Sequence, residues 1–217
     1  KGRRTVWQVL LASLGRNKLA LFGSVWLLLV CGVIVLQPLL PLPSPTRIDI
    51  RNPFAAPSAA HLLGSDENGR DVLARLIDGG RVSILVGVVS ALLTVVIGGT
   101  LGVVAGYAGG AVDRVIMRFT DGVLSIPVFF LLHAVVALFG SSVTVLVLAL
   151  SFTRWMGPAR LILGEILRVK DLEYATAVRG LGAGHLRIML KHLLPQALPS
   201  LIVATSIGVG NVMLVEA

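Results

Sequence analysis

The sequence predicts an all-α membrane protein with five helical spans, on three observations. Of 217 residues, 55% are hydrophobic and 14% charged, with a mean hydropathy of +0.89, where soluble domains carry roughly a quarter charged residues. Aromatic residues make only 6% while glycine occurs 24 times, a mixture suited to closely packed helices in lipid and not to the aromatic girdles of a β-barrel. Five apolar runs approach the roughly 20 residues a helix needs to cross a bilayer. This composition excludes a water-soluble domain and a disordered chain. Cys31, the only cysteine, excludes an intrachain disulfide framework.

In residues 1–18, Trp7, Leu10, Leu11 and Leu14 recur at helical spacing among Arg3, Arg4, Arg16 and Lys18. They read either as an amphipathic cytoplasmic helix on the membrane surface or as an extension of the first span. The first span, 19–37, is followed by no small-residue cleavage site and is a retained anchor, not a signal peptide. The prolines 38, 41, 43 and 45 open an extracytoplasmic segment, 38–80. The core, 81–217, holds the remaining spans at Val82–Tyr107, Phe119–Phe139, Val143–Leu163 and Leu198–Val215, with an inner loop at 164–197. Short connections at 108–118 and 140–142 make spans two to four neighbours.

The charges orient the chain. With the N-terminus inside, Lys1, Arg3, Arg4, Arg16, Lys18, Arg114, Arg118, Arg154, Arg160, Arg168, Lys170, Arg179, Arg187 and Lys191 share the cytoplasmic side, 14 of the 19 basic residues. Outside, Arg47, Arg51, Arg70, Arg75 and Arg81 are balanced by Asp49, Asp66, Glu67, Asp71 and Asp78. The net charge of +8 is thereby explained by the positive-inside rule, and nucleic-acid binding is not needed.

Several polar residues invite a chemical reading. His133 and Cys31 have no further ligand at i+3 or i+4 and are expected to pack, so no metal site is predicted. Asp121 is expected to pair with Arg118 or Arg114. Arg154 would cost about 3 kcal/mol at a helix centre in lipid, so it should face protein, water or the inner interface, with gating and structural pairing both open. Thr205, Ser206 and Asn211 could line a pathway or bond between helices. Asp66, Glu67 and Asp71, interleaved with Arg70 and Arg75, read as an ion-paired helix start capped from Ser65–Asn68. No catalytic residue is predicted. The sequence holds no G-x-S-x-G for an intramembrane hydrolase, no mid-span carboxylates for a secondary transporter, and no G-x-x-x-x-G-K-[ST] to cradle ATP.

The inner loop runs from Asp171 through Tyr174, Ala175, Ala177, Gly180 and Gly182 to Pro195. Gly182 is expected to end a first short helix in the left-handed conformation, a second is expected from about Gly184 to His192, and Pro195 to stop it before span five. This pattern resembles the cytoplasmic signature loop of ABC-importer permeases, Glu-Ala-Ala, three residues, Gly, nine residues, Ile-x-Leu-Pro. Aligned on Gly182, its leading positions fall on Thr176, Ala177 and Val178 and its last four on His192, Leu193, Leu194 and Pro195. Ala177, Gly182, Leu194 and Pro195 match, and Thr176 replaces the acidic residue.

Residues 61–77 followed by Gly80-Arg81 and Gly87 resemble the segment entering the second helix of the dipeptide, oligopeptide and nickel permeases, in the C-type partner of each pair. Gly106–Gly110, Asp113-Arg114, Asp121, Ile126-Pro127, Trp155 and Ala159-Arg160 fit the same subfamily. The resemblance implies a type I importer fold in a bacterial cytoplasmic (inner) membrane. It implies a peptide-importer permease that forms a heterodimeric pathway with a sister permease and receives solute from an extracytoplasmic binding protein. Two ATPase subunits would dock on Thr176, Ala177, Val178, Arg179, Gly180, Leu181, Gly182, His192, Leu194 and Pro195, and they, not this chain, would hold ATP and Mg. Gly64, Asp66, Gly69, Arg70 and Asp71 would face the binding protein and the sister permease. A nickel or metal-chelate importer of the same family is the alternative. Members usually continue into a re-entrant stretch and a sixth helix, so the chain is expected to be incomplete at its C-terminus, and the missing initiator Met suggests trimming at the start.

Overall fold

The structure is a computed structural model that describes residues 15–216; the expected surface helix bearing Trp7, Leu10, Leu11 and Leu14 lies outside them. The chain divides into two compact units, Lys1–Val82 and Ser83–Ala217. Among the described residues, four helices are long and apolar enough to cross a membrane, or five spans are present if one bent pair counts as a span.

In the first unit, helix α1 (Lys18–Val35) starts where the Asn17 carboxamide oxygen accepts from the backbone N–H groups of Leu19 (3.1 Å) and Ala20 (3.2 Å). None of its residues is buried, and it is apolar all round, as a helix solvated by lipid must be. The 3-10 turn Gln37–Leu39, with Pro38 in it, ends this span. The segment that follows has no regular strand among the described residues, only a bridge between Ser65 and Asp71. Helix α2 (Val72–Ala108) runs from this unit into the second, and its 37 residues extend about 55 Å. It begins ten residues before the expected start of span two. Its cap is Asp71, whose carboxylate accepts from the Ala74 N–H at 2.7 Å, so the expected cap at Ser65–Asn68 is corrected.

In the second unit, Gly109 and Gly110, both at positive φ, turn the chain into α3 (Gly110–Leu124). The expected third span is broken: α3 and α4 (Val128–Phe139) meet at 82° across Ser125-Ile126-Pro127. Proline disfavours helical backbone at the residue before it, and Ile126 therefore ends the run. Gly140 and the Ser142 cap, whose hydroxyl accepts from Val145 N–H at 3.2 Å, introduce α5 (Val143–Arg154). After Trp155, α6 (Met156–Val169) prolongs the same apolar run beyond its expected end at Leu163.

Small residues decide how α2 meets α6. Gly98, Gly102 and Gly106 stand at successive four-residue steps, and a Cβ on them would lie 2.4 Å from the Trp155 carbonyl, 2.5 Å from the Ala159 carbonyl and 2.8 Å from Ile166. The two backbones come close only because these side chains are absent. Next to this seam lies the main core: Val103 of α2, Ile162, Ile166 and Val169 of α6, and residues of the inner loop and last helix.

The inner loop forms α7 (Glu173–Gly180) and α8 (His185–Ile188), then a π-helical stretch Met189–Leu193 and α9 (Leu194–Glu216). Two expectations are corrected here. The second short helix has only four α-helical residues, and Pro195 does not stop it, because α8, the π stretch and α9 form one continuous helical rod. Proline lacks an N–H and its ring collides with the carbonyl four residues back; the wider i→i+5 winding just before Pro195 relieves both problems without breaking the helix.

Candidate functional site

The inner loop is built as a rigid projection. Ala175 is fully buried among Ile166, Val169 and Ile188, so α7 lies against the core by a small side chain. Glu173 sits in its first turn and Arg179 in its last, each complementing the helix dipole. Its end is a Schellman motif: Ala183 N–H donates to the Val178 carbonyl (3.3 Å) and Gly182 N–H to the Arg179 carbonyl (2.9 Å), with Gly182 at φ +78°. The expected left-handed Gly182 is thus present. A Cβ there would meet nothing within 4 Å, so glycine is required for conformation and not for space.

Tyr107, at the end of α2, ties both short helices to the spanning bundle. Its hydroxyl lies 2.6 Å from Nδ1 of His185 on α8, and the Arg179 guanidinium of α7 stands 5.4 Å above its ring. Lys170 Nζ donates to the Gly106 carbonyl at 3.3 Å, occupying one of the last unpaired carbonyls of α2. An open cleft of about 560 Å³ lies among Tyr107, Lys170, Asp171, Arg179 and His185.

The loop residues predicted from the sequence separate into two groups. Thr176, Ala177, Arg179, Gly180, Leu181 and Gly182 are exposed on one projection, and Leu181 is 87% exposed. Val178 and Leu194 instead pack against the core, His192 is half-buried with its carbonyl facing the Tyr174 hydroxyl at 3.5 Å, and Pro195 is exposed at the start of α9. Asp121 pairs with Arg160 of α6 and not with Arg118 or Arg114. Thr205 and Ser206 donate to the carbonyls of Leu201 and Ile202 in their own helix, while Asn211 is exposed. The His133 ring lies tilted by 40° against that of Phe129, with its Nδ1 2.9 Å from the Phe129 carbonyl. Reasoning from sequence missed Tyr107, His185 and the glycine stripe. The stripe has a legible signal in its four-residue repeat, whereas Tyr107 and His185 are 78 residues apart and have none.

In the first unit, Asp66 organises the 47–71 segment. It accepts from the backbone N–H groups of Asn68 and Arg70 (2.9 Å each) and from the side chains of Arg70 (2.8 Å) and Arg75. Desolvation opposes its ionisation, but these hydrogen bonds outweigh it and hold the carboxyl at about 2. Gly64 and Gly69, at φ +78° and +73°, have backbone carbonyls of Ala55 and Asp49 within 2.4 and 1.8 Å of where a Cβ would stand. Asp71 is buried between its capping bond and His61 Nδ1 at 2.9 Å.

The sequence profile of the family described as "Binding-protein-dependent transport system inner membrane component" matches residues 98–216, from the glycine seam through the inner loop to the last helix. The chain belongs to this family. It is therefore a permease of the helical ABC-importer class and a multi-pass inner-membrane protein. This permease is 36% identical over 203 residues to the dipeptide transport system permease protein DppC of Bacillus subtilis, covering 94% of the chain and 63% of that protein. It is 35% identical to the glutathione transport system permease protein GsiD of Pectobacterium atrosepticum, covering 97% of the chain and 70% of the relative. With the oligopeptide transport system permease protein OppC of Haemophilus influenzae it shares 33% identity over 98% of the chain and 69% of the relative. The chain thus spans between 63% and 70% of the length of these relatives, and they bear out the resemblance to the C-type permeases.

Proposed function

We propose that this permease is one half of the membrane pathway of an ATP-driven peptide importer, paired with a sister permease and moved by two ATPase subunits docked on the α7–Gly182–α8 projection. One observation carries the reading. The projection offers an exposed surface of Thr176, Ala177, Gly180 and Leu181, yet is fixed through buried Ala175 and through Tyr107 to the helices that span the membrane. A force applied to such a projection moves the bundle and not merely a loop, as switching between two packed states requires. ATP and Mg are held by the ATPases, since this chain has no phosphate-binding loop. The names of the relatives favour di- and oligopeptides as solute.

In this reading the N-terminus and the projection are cytoplasmic, and the segment containing Gly64, Asp66, Gly69, Arg70 and Asp71 faces the binding protein and the sister permease. The test is reconstitution of the permease pair with its ATPases and binding protein in vesicles. ATP-dependent peptide uptake, with ATPases retained on the purified complex, is expected. Uptake that proceeds without ATP or without the ATPases overturns the proposal. Cysteines placed at 58 and 184 should label from the outside and the inside respectively; the reverse pattern inverts the topology.

A further inference from the structure

We propose that Arg154 and Thr94 form a recognition point for a carboxylate of the transported solute, an inference that rests on the importer reading. Both line a cavity of about 270 Å³ inside the second unit, between α2, the α5–α6 junction and α9, whose walls also include Ala91, Leu161, Thr205 and Gly208. The walls are mostly apolar, with few polar groups, as in sites that orient a small ligand.

Two of the residues that line this cavity carry a buried polar side-chain atom without a partner. Helical threonines commonly bond the carbonyl one turn back, as Thr100 and Thr205 do here with Val96 and Leu201. Thr94 does not: it is 8% exposed, and its hydroxyl oxygen is buried with no hydrogen-bond partner. Arg154 is half-buried in the last turn of α5, and its Nε is likewise buried and unpartnered. Among the described residues no carboxylate lines this cavity, and Asp121 and Glu165 are engaged with Arg160 and with Arg168 and Ser200.

Arg154 is the twelfth residue of the run Val143–Val169, which is long and apolar enough to cross a membrane, and it lies about 17 Å along that run from its first residue. An unpaired guanidinium in such a run is costly, and intramembrane cations generally mark a solute or ion path. A carboxylate matches it best: two parallel N–H donors from the guanidinium engage both oxygens, and the Thr94 hydroxyl supplies a further donor. The aliphatic walls then accept the carbon atoms next to the carboxylate.

The experiment uses the assembled permease–ATPase complex without binding protein, and measures the affinity for trialanine and for trialanine amide, which lacks the carboxylate. The wild type is expected to prefer the free acid about tenfold. Arg154→Gln should abolish that preference while binding the amide as the wild type does, Arg154→Lys should keep part of it, and Thr94→Val should reduce it about threefold. Equal affinities in the wild type, or a preference unchanged in both Arg154→Gln and Thr94→Val, overturn the proposal. Loss of the sister subunit from the Arg154→Gln complex also overturns it, because the anion would then belong to that subunit. ATP-driven uptake of trialanine is measured in parallel. Uptake without acid preference rejects the carboxylate site alone, and acid preference without uptake rejects the importer reading.

Discussion

Two sets of glycines in the second unit serve opposite physical ends. Gly98, Gly102 and Gly106 lie within an ordinary helix and could adopt the same backbone as alanine, but a Cβ on each would run into the backbone or side chains of Trp155, Ala159, Ile162 and Ile166. Gly182 has open space around it and a backbone at φ +78° that other residues avoid. The first set makes a seam on which the bundle depends. The second shapes a surface, and its loss is expected to leave the bundle intact. Stability and coupling should therefore be separable by mutation, and the variants below either enforce that separation or break it.

The largest effect is expected at the seam. Gly102→Val has to push α2 away from α6 and should cost about 3 kcal/mol or more, read as a large fall in thermal stability in detergent and loss of assembled complex. A stable Gly102→Val protein would mean that the α2–α6 approach is not obligatory. Gly182→Val, by contrast, should cost about 1 kcal/mol of backbone strain. The purified permease should remain folded, yet retain less ATPase and hydrolyse ATP with little uptake. Gly182→Asn, which tolerates the left-handed region, should behave nearly as wild type. Normal docking and uptake in Gly182→Val would reduce the projection to an ordinary connector. Ala177→Asp, on the exposed side of α7, is expected to weaken docking in the same way through the desolvation of a new charge.

Between these extremes lies Tyr107→Phe. It keeps the ring under Arg179 but deletes the hydroxyl contact with His185, worth about 1 kcal/mol at most. Backbone amides of α8 should exchange up to about fivefold faster, with global stability unchanged; exchange at the wild-type rate would show that the contact does not hold the projection. The smallest effect belongs to the first unit. Asp66 is held at about 2 against an ordinary 3.8, so its carboxylate contributes order to the 47–71 segment fully above that ordinary value. The contribution is lost as pH falls through about 2. Proteolysis of this segment should rise below about pH 4, and Asp66→Asn should flatten that dependence; an identical pH profile in the variant would remove Asp66 from its organising role.

Much of this protein was legible in its amino acids alone. Apolar runs of bilayer length marked α1, the later part of α2, the α5–α6 run and α9, because lipid leaves a span no way to hide its backbone except as a helix. Gly182 was legible as a left-handed stop because a short helix ending in glycine has a local geometry that needs no distant partner. Residues whose state depends on distant neighbours were not. Asp121 pairs with Arg160, 39 positions away, in preference to the arginines on its own helix, and Tyr107 meets His185 across 78. Pro195 has the chemistry of a helix stop, yet the π-helical widening carries the helix past it. The sequence by itself determined the four long apolar helices, the turn at Gly182 and the family resemblance, all set by composition and local backbone preference. Tertiary structure decided which charges pair, which glycines are forbidden a side chain and which buried polar groups are left unpaired, because those outcomes depend on what another helix brings within a few ångströms.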